Sequence, residues 1–193
     1  MTLSGRFEDA LVWAAHLHRD QWRKGTPVPY VAHLLGVTSI ALQYGADEDE
    51  AIAALLHDAV EDQGGEPTLL EIERRFGDRV AAIVAGCTDA MMQPKPPWRQ
   101  RKETYLAHLP QASPSVRLVS AADKLHNARA LASDYRLLGE TLWSRFTGGR
   151  AGTLWYYRTL VEAFRTAETT SLVEELDRVV SDFERLAAQE GDL

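Results

Sequence analysis

The chain has 193 residues, of which 45% are hydrophobic and 25% are charged, and its formal net charge at pH 7 is −7. This size and composition suit a single globular domain with a substantial core and leave little room for a second. The acidic balance argues against a general nucleic-acid binder, which would carry a basic face. The single cysteine, Cys87, excludes an intramolecular disulfide framework. We expect neither a signal peptide nor a membrane span, and therefore a cytoplasmic protein.

Helical signals dominate the chain from its beginning, and strand signals are nearly absent. Apolar residues at helical spacing predict a first helix over residues 7–22. Residues 24–29 contain two prolines and a glycine and therefore predict a loop. A second helix is expected over residues 31–44, with Gly45 as its stop.

A third helix is expected to carry the sequence AALLHDAVED at residues 53–62. Residues 47–49 offer it an N-cap and acidic charge at the positive end of the helix dipole. Residues 63–67 contain two glycines and a proline and end it. Thr68 is then expected to cap the next helix, with Glu71 completing a capping box three residues later.

The second half of the chain continues the helical pattern. The proline-rich segment 93–97 predicts a loop that leads into a helix from Trp98. Pro114 marks the first turn of another helix, which extends at least to Leu131. Further helices are expected over residues 79–87, 135–145, 152–167 and 171–188. The sequence therefore predicts an all-α fold without repeats or linkers.

Four titratable side chains lie within six residues of the third helix: His57, Asp58, Glu61 and Asp62. An adjacent histidine and aspartate at the end of a buried helix can both reach one metal ion, through an imidazole nitrogen and a carboxylate oxygen. If the run is helical throughout, His57 and Glu61 share a face. The alternative is a helix that ends in solvent with exposed charge, since charged residues are mostly on the surface.

Two further residues would complete a metal site. His33 stands at the start of the second helix, and Asp123 is the only acid in a largely apolar stretch. A buried carboxylate is costly unless it is paired or bound to an ion. Asp123 is therefore either a metal ligand or the partner of a basic residue. The candidate partners are Arg117, Lys124 and Arg129, and the pattern alone leaves both interpretations open.

The order of these residues resembles the H…HD…D signature of the HD-domain metal-dependent phosphohydrolases. The nearer resemblance is to the hydrolase domain of RelA/SpoT-type alarmone enzymes and their small stand-alone relatives. The matching segments are RKGT at 23–26, PYVAH at 29–33, ALLHDAVED at 54–62, FGDRV at 76–80 and ADKLHN at 122–127. Leu34 and Gln63 depart from the family pattern without removing a ligand.

The resemblance implies a single all-α helical bundle of the HD-domain type over residues 1–193. Its core would lie at about residues 7–164, where the matching segments stand, with a terminal helix at about residues 171–188. The apolar stripe of that terminal helix would pack on the bundle or pair with a second copy of the chain.

The resemblance also implies an enzyme that uses one divalent cation, Mn²⁺ in preference to Zn²⁺ or Mg²⁺. Its ligands would be His33, His57, Asp58 and Asp123. Glu61 and Asp62 would position the attacking water and move its proton, although Glu61 could equally orient the imidazole of His57. The expected reaction is hydrolysis of the 3′-pyrophosphate of (p)ppGpp, which yields GDP or GTP and pyrophosphate.

Such an anionic substrate needs cationic side chains. Arg23 and Lys24 precede His33, and the family uses this arginine to stack on the base, which suits a planar guanidinium. A second basic group could clamp phosphates or form a solvated helix start; it comprises Lys95, Arg99, Arg101 and Lys102. Further candidates for substrate contact are Asn127, Tyr156 and Arg158.

Three alternatives stay open at this point. The enzyme could act on another nucleotide, such as an adenine alarmone, NADPH or a 5′-nucleotide. The chain could instead be a non-catalytic nucleotide-binding regulatory module. The basic group at residues 95–102 could bind nucleic acid, although the overall acidity argues against it.

Overall fold

The structure is a computed structural model that describes residues 2–89 and 96–190. The α-helices are α1 (Gly5–Leu17), α2 (Val31–Gln43), α3 (Glu48–Leu56), α4 (Ala59–Asp62), α5 (Glu66–Phe76), α6 (Asp78–Cys87), α7 (Trp98–His108), α8 (Pro114–Leu138), α9 (Gly149–Ala167) and α10 (Ser171–Glu190). Leu109–Gln111 and Gly139–Arg145 form 3-10 helices. The only β-type pairing in these ranges is an isolated bridge between Trp22 and Pro29. The all-α prediction is confirmed.

The described residues group into two compact units. The first unit lies within Met1–Lys95 and Ala112–Asp123, and the second within Pro96–Gln111 and Lys124–Leu193. Helix α8 contributes to both units. A single domain over the whole chain stays a prediction. In the described part of the chain, none of the helices combines the length and apolar character needed to cross a bilayer.

Helix α3 is the centre of the first unit. It packs against α1, α2 and α6, and every residue from Ala51 to Leu56 is completely buried. An uninterrupted apolar run fits a helix that is enclosed on all sides. Its start is a capping box: the Asp47 carboxylate accepts from the amide of Glu50, and the Glu50 carboxylate accepts from the amide of Asp47. The predicted N-cap is therefore confirmed.

Helix α1 is shorter than predicted, because the chain turns back soon after it. It ends at Leu17 instead of continuing to Trp22. The amide of Tyr30 donates to the carbonyl of Gln21 at 2.9 Å, and the bridge between Trp22 and Pro29 lies beside this bond. The segment that follows α1 is thereby folded into a hairpin-like loop.

Two other helix boundaries differ from the sequence expectations. Thr68 lies inside α5 rather than at its N-cap, and its hydroxyl donates to the carbonyl of Gln63 at 2.9 Å. The predicted helix over residues 135–145 is also wrong, because α8 continues to Leu138 and a 3-10 helix follows. Gly139 has a φ of 55°, a left-handed conformation that ends α-helices.

Helix α9 is the centre of the second unit. It packs against α7, α10 and both 3-10 helices. The side chain of Trp98 lies against the backbone at Gly148 and Gly152, where a Cβ atom would come within 2.6 Å and 3.2 Å of the indole ring. Tyr156 and Tyr157 are buried in this unit.

The close approach of α6 and α8 in the first unit depends on Gly86. A Cβ atom at this position would lie 2.6 Å from Cγ2 and 3.0 Å from Cγ1 of Val116. Because valine is restricted at χ1, its methyl groups cannot easily rotate away. We expect Gly86→Ala to lower the free energy of unfolding by about 1–3 kcal/mol, measured by urea denaturation.

Two controls separate this contact from a general helix effect. Gly5→Ala adds a Cβ atom that meets nothing within 4 Å, so its unfolding free energy should change by less than about 0.5 kcal/mol. In a Val116→Ala background the clashing methyl groups are gone, and Gly86→Ala should cost much less. An equal cost of Gly86→Ala in both backgrounds would contradict the contact with Val116 as the cause.

Candidate metal centre

His33 of α2 meets His57 and Asp58, which follow α3, in the first unit. Each of the three residues offers one potential ligand atom, and these three atoms lie within 4.8 Å of one another. This is the one group of that kind among the described residues. Nε2 of His57 lies 3.0 Å from Oδ2 of Asp58, and Nε2 of His33 lies 3.4 Å from the same oxygen. Both imidazoles are buried. These three side chains could hold a divalent metal ion.

Asp123 of α8 approaches the same two imidazoles. Its Oδ1 lies 3.2 Å from Nε2 of His33 and 3.6 Å from Nε2 of His57. The residue is 5% exposed, so its carboxylate needs a compensating charge. This position suits the metal-ligand interpretation of Asp123, which stays a prediction.

The helix is interrupted at the two central residues of the cluster. Helix α3 ends at Leu56 and α4 begins at Ala59, so His57 and Asp58 lie in the turn between them. The expectation of one continuous helix is therefore wrong here. Both residues keep right-handed backbone angles, so the interruption involves no strained conformation.

The backbone of α3 helps to orient the ring of His57. Its Nδ1 lies 2.8 Å from the carbonyl oxygen of Ala54. Because a carbonyl only accepts, Nδ1 carries a proton, and Nε2 is the nitrogen that faces Asp58. The alternative role for Glu61, as a partner that orients this imidazole, stays a prediction.

The cluster requires positive charge between its nitrogens and its oxygens. In a neutral His57 ring, the lone pair of Nε2 would face a carboxylate oxygen at 3.0 Å. Burial disfavours the imidazolium, but the charges of Asp58 and Asp123 outweigh it and raise the pKa of His57 well above its ordinary value. Burial likewise opposes ionisation of Asp58, yet the His57 charge and hydrogen bonds with both rings hold the Asp58 pKa well below its usual range. A proton or a metal cation can supply this charge, and two imidazoles with two carboxylates suit a divalent transition metal.

Tyr30 contacts Asp58. The sequence analysis includes Tyr30 in the PYVAH segment but does not predict this contact. Its hydroxyl donates to Oδ2 of Asp58 at 2.6 Å. Its ring lies edge-on to His33, with 5.4 Å between centroids. Burial and the Asp58 charge raise the pKa of Tyr30, so the hydroxyl stays a donor. The available signal was its position three residues before His33, which places both at the start of one helix.

The two predicted catalytic acids lie on α4, directly after the cluster. Glu61 is half-buried, and Asp62 is accessible to solvent. Desolvation by neighbouring atoms, followed by the charge of Asp58, raises the pKa of the Asp62 carboxyl. Asp62 accepts a hydrogen bond from Gln21 at 2.7 Å, a residue that the sequence reasoning did not single out.

The predicted substrate contacts fall in several places. In the first unit, the guanidinium carbon of Arg23 lies 5.7 Å from the ring centroid of Tyr30, and Lys24 is exposed. In the second unit, Nζ of Lys102 lies 5.0 Å from the ring centroid of Tyr156. Two residues remain: Asn127, half-buried on α8, and Lys95, which lies outside the described residues.

Arg158 has a structural role in the second unit that accounts for its charge. Its guanidinium donates to Asp177 at 2.6 Å, to Ser181 at 3.0 Å and through Nε to Glu184 at 3.1 Å. These bonds tie α9 to α10, and the hydrogen bond to Glu184 is the main cause that raises the pKa of Arg158. The predicted substrate contact at Arg158 is therefore not supported.

The chain is similar to known proteins over most of its length. Residues 10–154 match the family model described as HD domain. Guanosine-3′,5′-bis(diphosphate) 3′-pyrophosphohydrolase MESH1 from Xenopus tropicalis is 42% identical over 126 residues, which cover 64% of this chain and 68% of the relative. MESH1 from Homo sapiens is 40% identical over 126 residues, with the same shares of 64% and 68%. Guanosine-3′,5′-bis(diphosphate) 3′-pyrophosphohydrolase from Aquifex aeolicus is 37% identical over 125 residues, which cover 63% of this chain and 17% of that protein.

Solved structures give the same picture. A structure described as a metazoan ortholog of SpoT that hydrolyzes ppGpp superposes with a TM-score of 0.79 at 29% identity, and the match covers 94% of this chain and 97% of that one. A protein from Listeria monocytogenes EGD-e superposes with a TM-score of 0.70 at 29% identity, over 79% of this chain and 99% of that one. These matches confirm the resemblance that the sequence motifs indicate.

Metal binding at the cluster should release a proton. The raised pKa of His57 and the two carboxylate oxygens that face its Nε2 predict a proton on this nitrogen before metal binds, and a metal ligand must be deprotonated. The affinity for a divalent cation should therefore rise by about tenfold for each pH unit across about pH 6–8, for each proton displaced. Titration calorimetry in two buffers with different ionisation enthalpies measures both the affinity and the proton release.

A histidine on the same unit provides the matched control. His16 is exposed on α1, so His16→Gln should keep the affinity and its pH dependence, whereas His57→Gln should lose metal binding. A pH-independent affinity without proton release would contradict the charge balance described for the cluster.

Proposed function

The chain belongs to the HD-domain family, among the guanosine-3′,5′-bis(diphosphate) 3′-pyrophosphohydrolases, and from this premise we propose that it hydrolyses (p)ppGpp. The oxygen of a water molecule would form a bond to the phosphorus next to O3′, and the bond between that phosphorus and O3′ would break. O3′ would keep the bonding electrons and take up a proton, so that GDP or GTP and pyrophosphate are the products. The observation that carries the proposal is the convergence of two imidazoles and two carboxylates from three distant parts of the sequence. The similarity to MESH1 supplies the choice of substrate.

Four side chains would hold one divalent cation: His33, His57, Asp58 and Asp123. Mn²⁺ is the proposed ion, because mixed nitrogen and oxygen ligands are compatible with it and the motif resemblance implies it. A cation bound there supplies a Lewis acid for the phosphoryl group and lowers the pKa of a water molecule. Tyr30 keeps the Asp58 carboxylate in place through its hydrogen bond.

Asp62 is the proposed acceptor of the proton from the attacking water, with Glu61 beside it on α4. A general base works best when its pKa lies near the operating pH. Desolvation and the Asp58 charge raise the pKa of Asp62, which moves this pKa toward neutral pH. Asp62 therefore suits proton transfer better than an ordinary surface aspartate.

Arg23 and Lys24 are the proposed cations for the nucleotide in the first unit. The amide of Arg23 donates to the carbonyl of Val28 at 2.8 Å, which fixes the backbone of the loop that carries both residues. A guanidinium can stack on a base while an ammonium meets phosphate oxygens. Several expectations stay predictions: the substrate contacts of Lys95, Lys102, Asn127 and Tyr156, the oligomeric state and a cytoplasmic location.

A nucleotide panel tests the substrate. The Mn²⁺-loaded protein should convert ppGpp to GDP and pyrophosphate in stoichiometric amounts. Anion-exchange chromatography measures this conversion. Survival of ppGpp, together with cleavage of a 5′-nucleotide, NADPH or an adenine alarmone, would show that the substrate is wrong while the phosphohydrolase chemistry is right. Nucleotide binding without cleavage of any member would favour a regulatory module.

The metal role of Asp123 is tested by substitution. Asp123→Ala should lose bound metal and reduce turnover on the order of 10³-fold or more, since the cation supplies several kcal/mol of transition-state stabilisation. Asp182→Ala is the control, because Asp182 is an exposed acid on α10 that pairs with Arg185. A fully active, metal-loaded Asp123→Ala protein would remove Asp123 from the site.

A further inference from the structure

Asp62 belongs to a network of four side chains, and the other three have no role in the proposed reaction so far. Nε2 of Gln21 donates to Oδ2 of Asp62 at 2.7 Å. Oε1 of the same glutamine accepts from Nε2 of Gln63 at 2.6 Å and lies 2.7 Å from Nδ1 of His18. Gln21 is thus at the centre of the network, and Asp62 is at its edge.

The three contacts of Gln21 agree on one orientation of its amide. If the amide were flipped, its oxygen would face the Asp62 carboxylate and its NH₂ group would face the NH₂ group of Gln63, and both contacts would be repulsive. With the oxygen toward His18, Nδ1 of that ring must be the donor. Every hydrogen-bonding role in the network is therefore determined by the chemistry of its members.

Burial and a neighbouring aromatic ring hold His18, one member of this network, in place. It is 1% exposed, and its ring stacks on Tyr30 with 5.2 Å between centroids and 16° between planes. Burial, the largest effect, lowers the pKa of His18, in keeping with a neutral ring that donates through Nδ1. Tyr30 also donates to Asp58. The stacked pair of Tyr30 and His18 therefore contacts both the metal cluster and Gln21, whose side chain connects His18 to Asp62 and is called the Gln21 arm.

We propose that His18 and Gln21 are positioning residues for Asp62, and that they hold its carboxylate in the orientation needed to take the proton of the attacking water. This inference rests on the proposed function, in which Asp62 is the base. The Gln21 bond occupies Oδ2 and leaves Oδ1 to receive the proton. Without it, the carboxylate of a solvent-accessible side chain rotates freely, and the fraction of productive geometry falls.

Replacement of Gln21 tests the arm directly. Gln21→Leu should lower kcat by about 10–100-fold, with KM within about twofold and metal content unchanged. Gln43→Leu is the matched control, because Gln43 is exposed on α2 and its side chain donates to Ser39 of the same helix. A Gln21→Leu enzyme with unchanged kcat would overturn the inference.

A double-mutant cycle shows whether the effect passes through Asp62. In an Asp62→Ala background, Gln21→Leu should have little further effect on kcat, because the group that it positions is absent. An equal loss in both backgrounds would show that Gln21 acts elsewhere and would overturn the proposal.

Two substitutions of His18 separate hydrogen bonding from packing. His18→Asn places an amide N–H near the position of Nδ1 and should retain most of kcat. His18→Phe keeps a ring against Tyr30 but has no donor, and its kcat should fall like that of Gln21→Leu. The opposite order, with the phenylalanine variant active and the asparagine variant inactive, would reduce His18 to a packing residue.

A readout that does not need turnover keeps this inference separate from the proposed function. If the wild-type protein hydrolyses no ppGpp, the proposed function fails, and the arm is tested by NMR titration of the Asp62 carboxyl in the full chain loaded with diamagnetic Mg²⁺. A hydrogen bond to the charged form lowers a carboxyl pKa, so Gln21→Leu should raise the pKa of Asp62. An unchanged pKa would overturn the positioning role.

Discussion

The site depends on the attraction between positive charge and four electron-rich atoms that are held together in the first unit. Nε2 of His57 and Nε2 of His33 face the carboxylates of Asp58 and Asp123 at 3.0 to 3.6 Å. Three of these four side chains are buried, and repulsion between lone pairs and carboxylates is strong where water is largely excluded. The protein tolerates the arrangement because a proton or a cation neutralises it. A metal ion also leaves coordination positions for water and phosphate, which a proton does not.

Helix packing and side-chain hydrogen bonds keep these atoms in place. Helix α3, whose residues from Ala51 to Leu56 are completely buried, carries His57 and Asp58 at its end, and a capping box fixes its beginning. The loop after α1 carries Tyr30, which touches Asp58 directly. Elements far apart in the sequence thereby hold the side chains of the cluster close together in the first unit. The HD-domain fold explains the position of the cluster, whereas the choice of nucleotide follows from similarity to relatives, since one fold can host several substrates.

The helices could be predicted because apolar periodicity is a local pattern. The cluster could be expected because a histidine, a His-Asp pair and a later aspartate follow the order of the HD-domain signature, whereas the pattern alone left the role of Asp123 open. The interruption after Leu56 could not be predicted, because residues 59–62 have helical propensity of their own. The Gln21 arm depends on how the loop after α1 folds back, which is a tertiary effect. Arg158 shows the same limit, since only the packing of α10 reveals that its charge is already paired.

The central claim is that His33, His57, Asp58 and Asp123 share one cation. A crystal structure of the Mn²⁺-loaded protein, with anomalous diffraction recorded at the manganese edge, tests it most directly. We expect one strong anomalous peak within coordination distance of both Nε2 atoms and of oxygens from both aspartates. A peak bound elsewhere, or a fully loaded crystal in which the two imidazoles hydrogen-bond to the carboxylates without an ion between them, would contradict it.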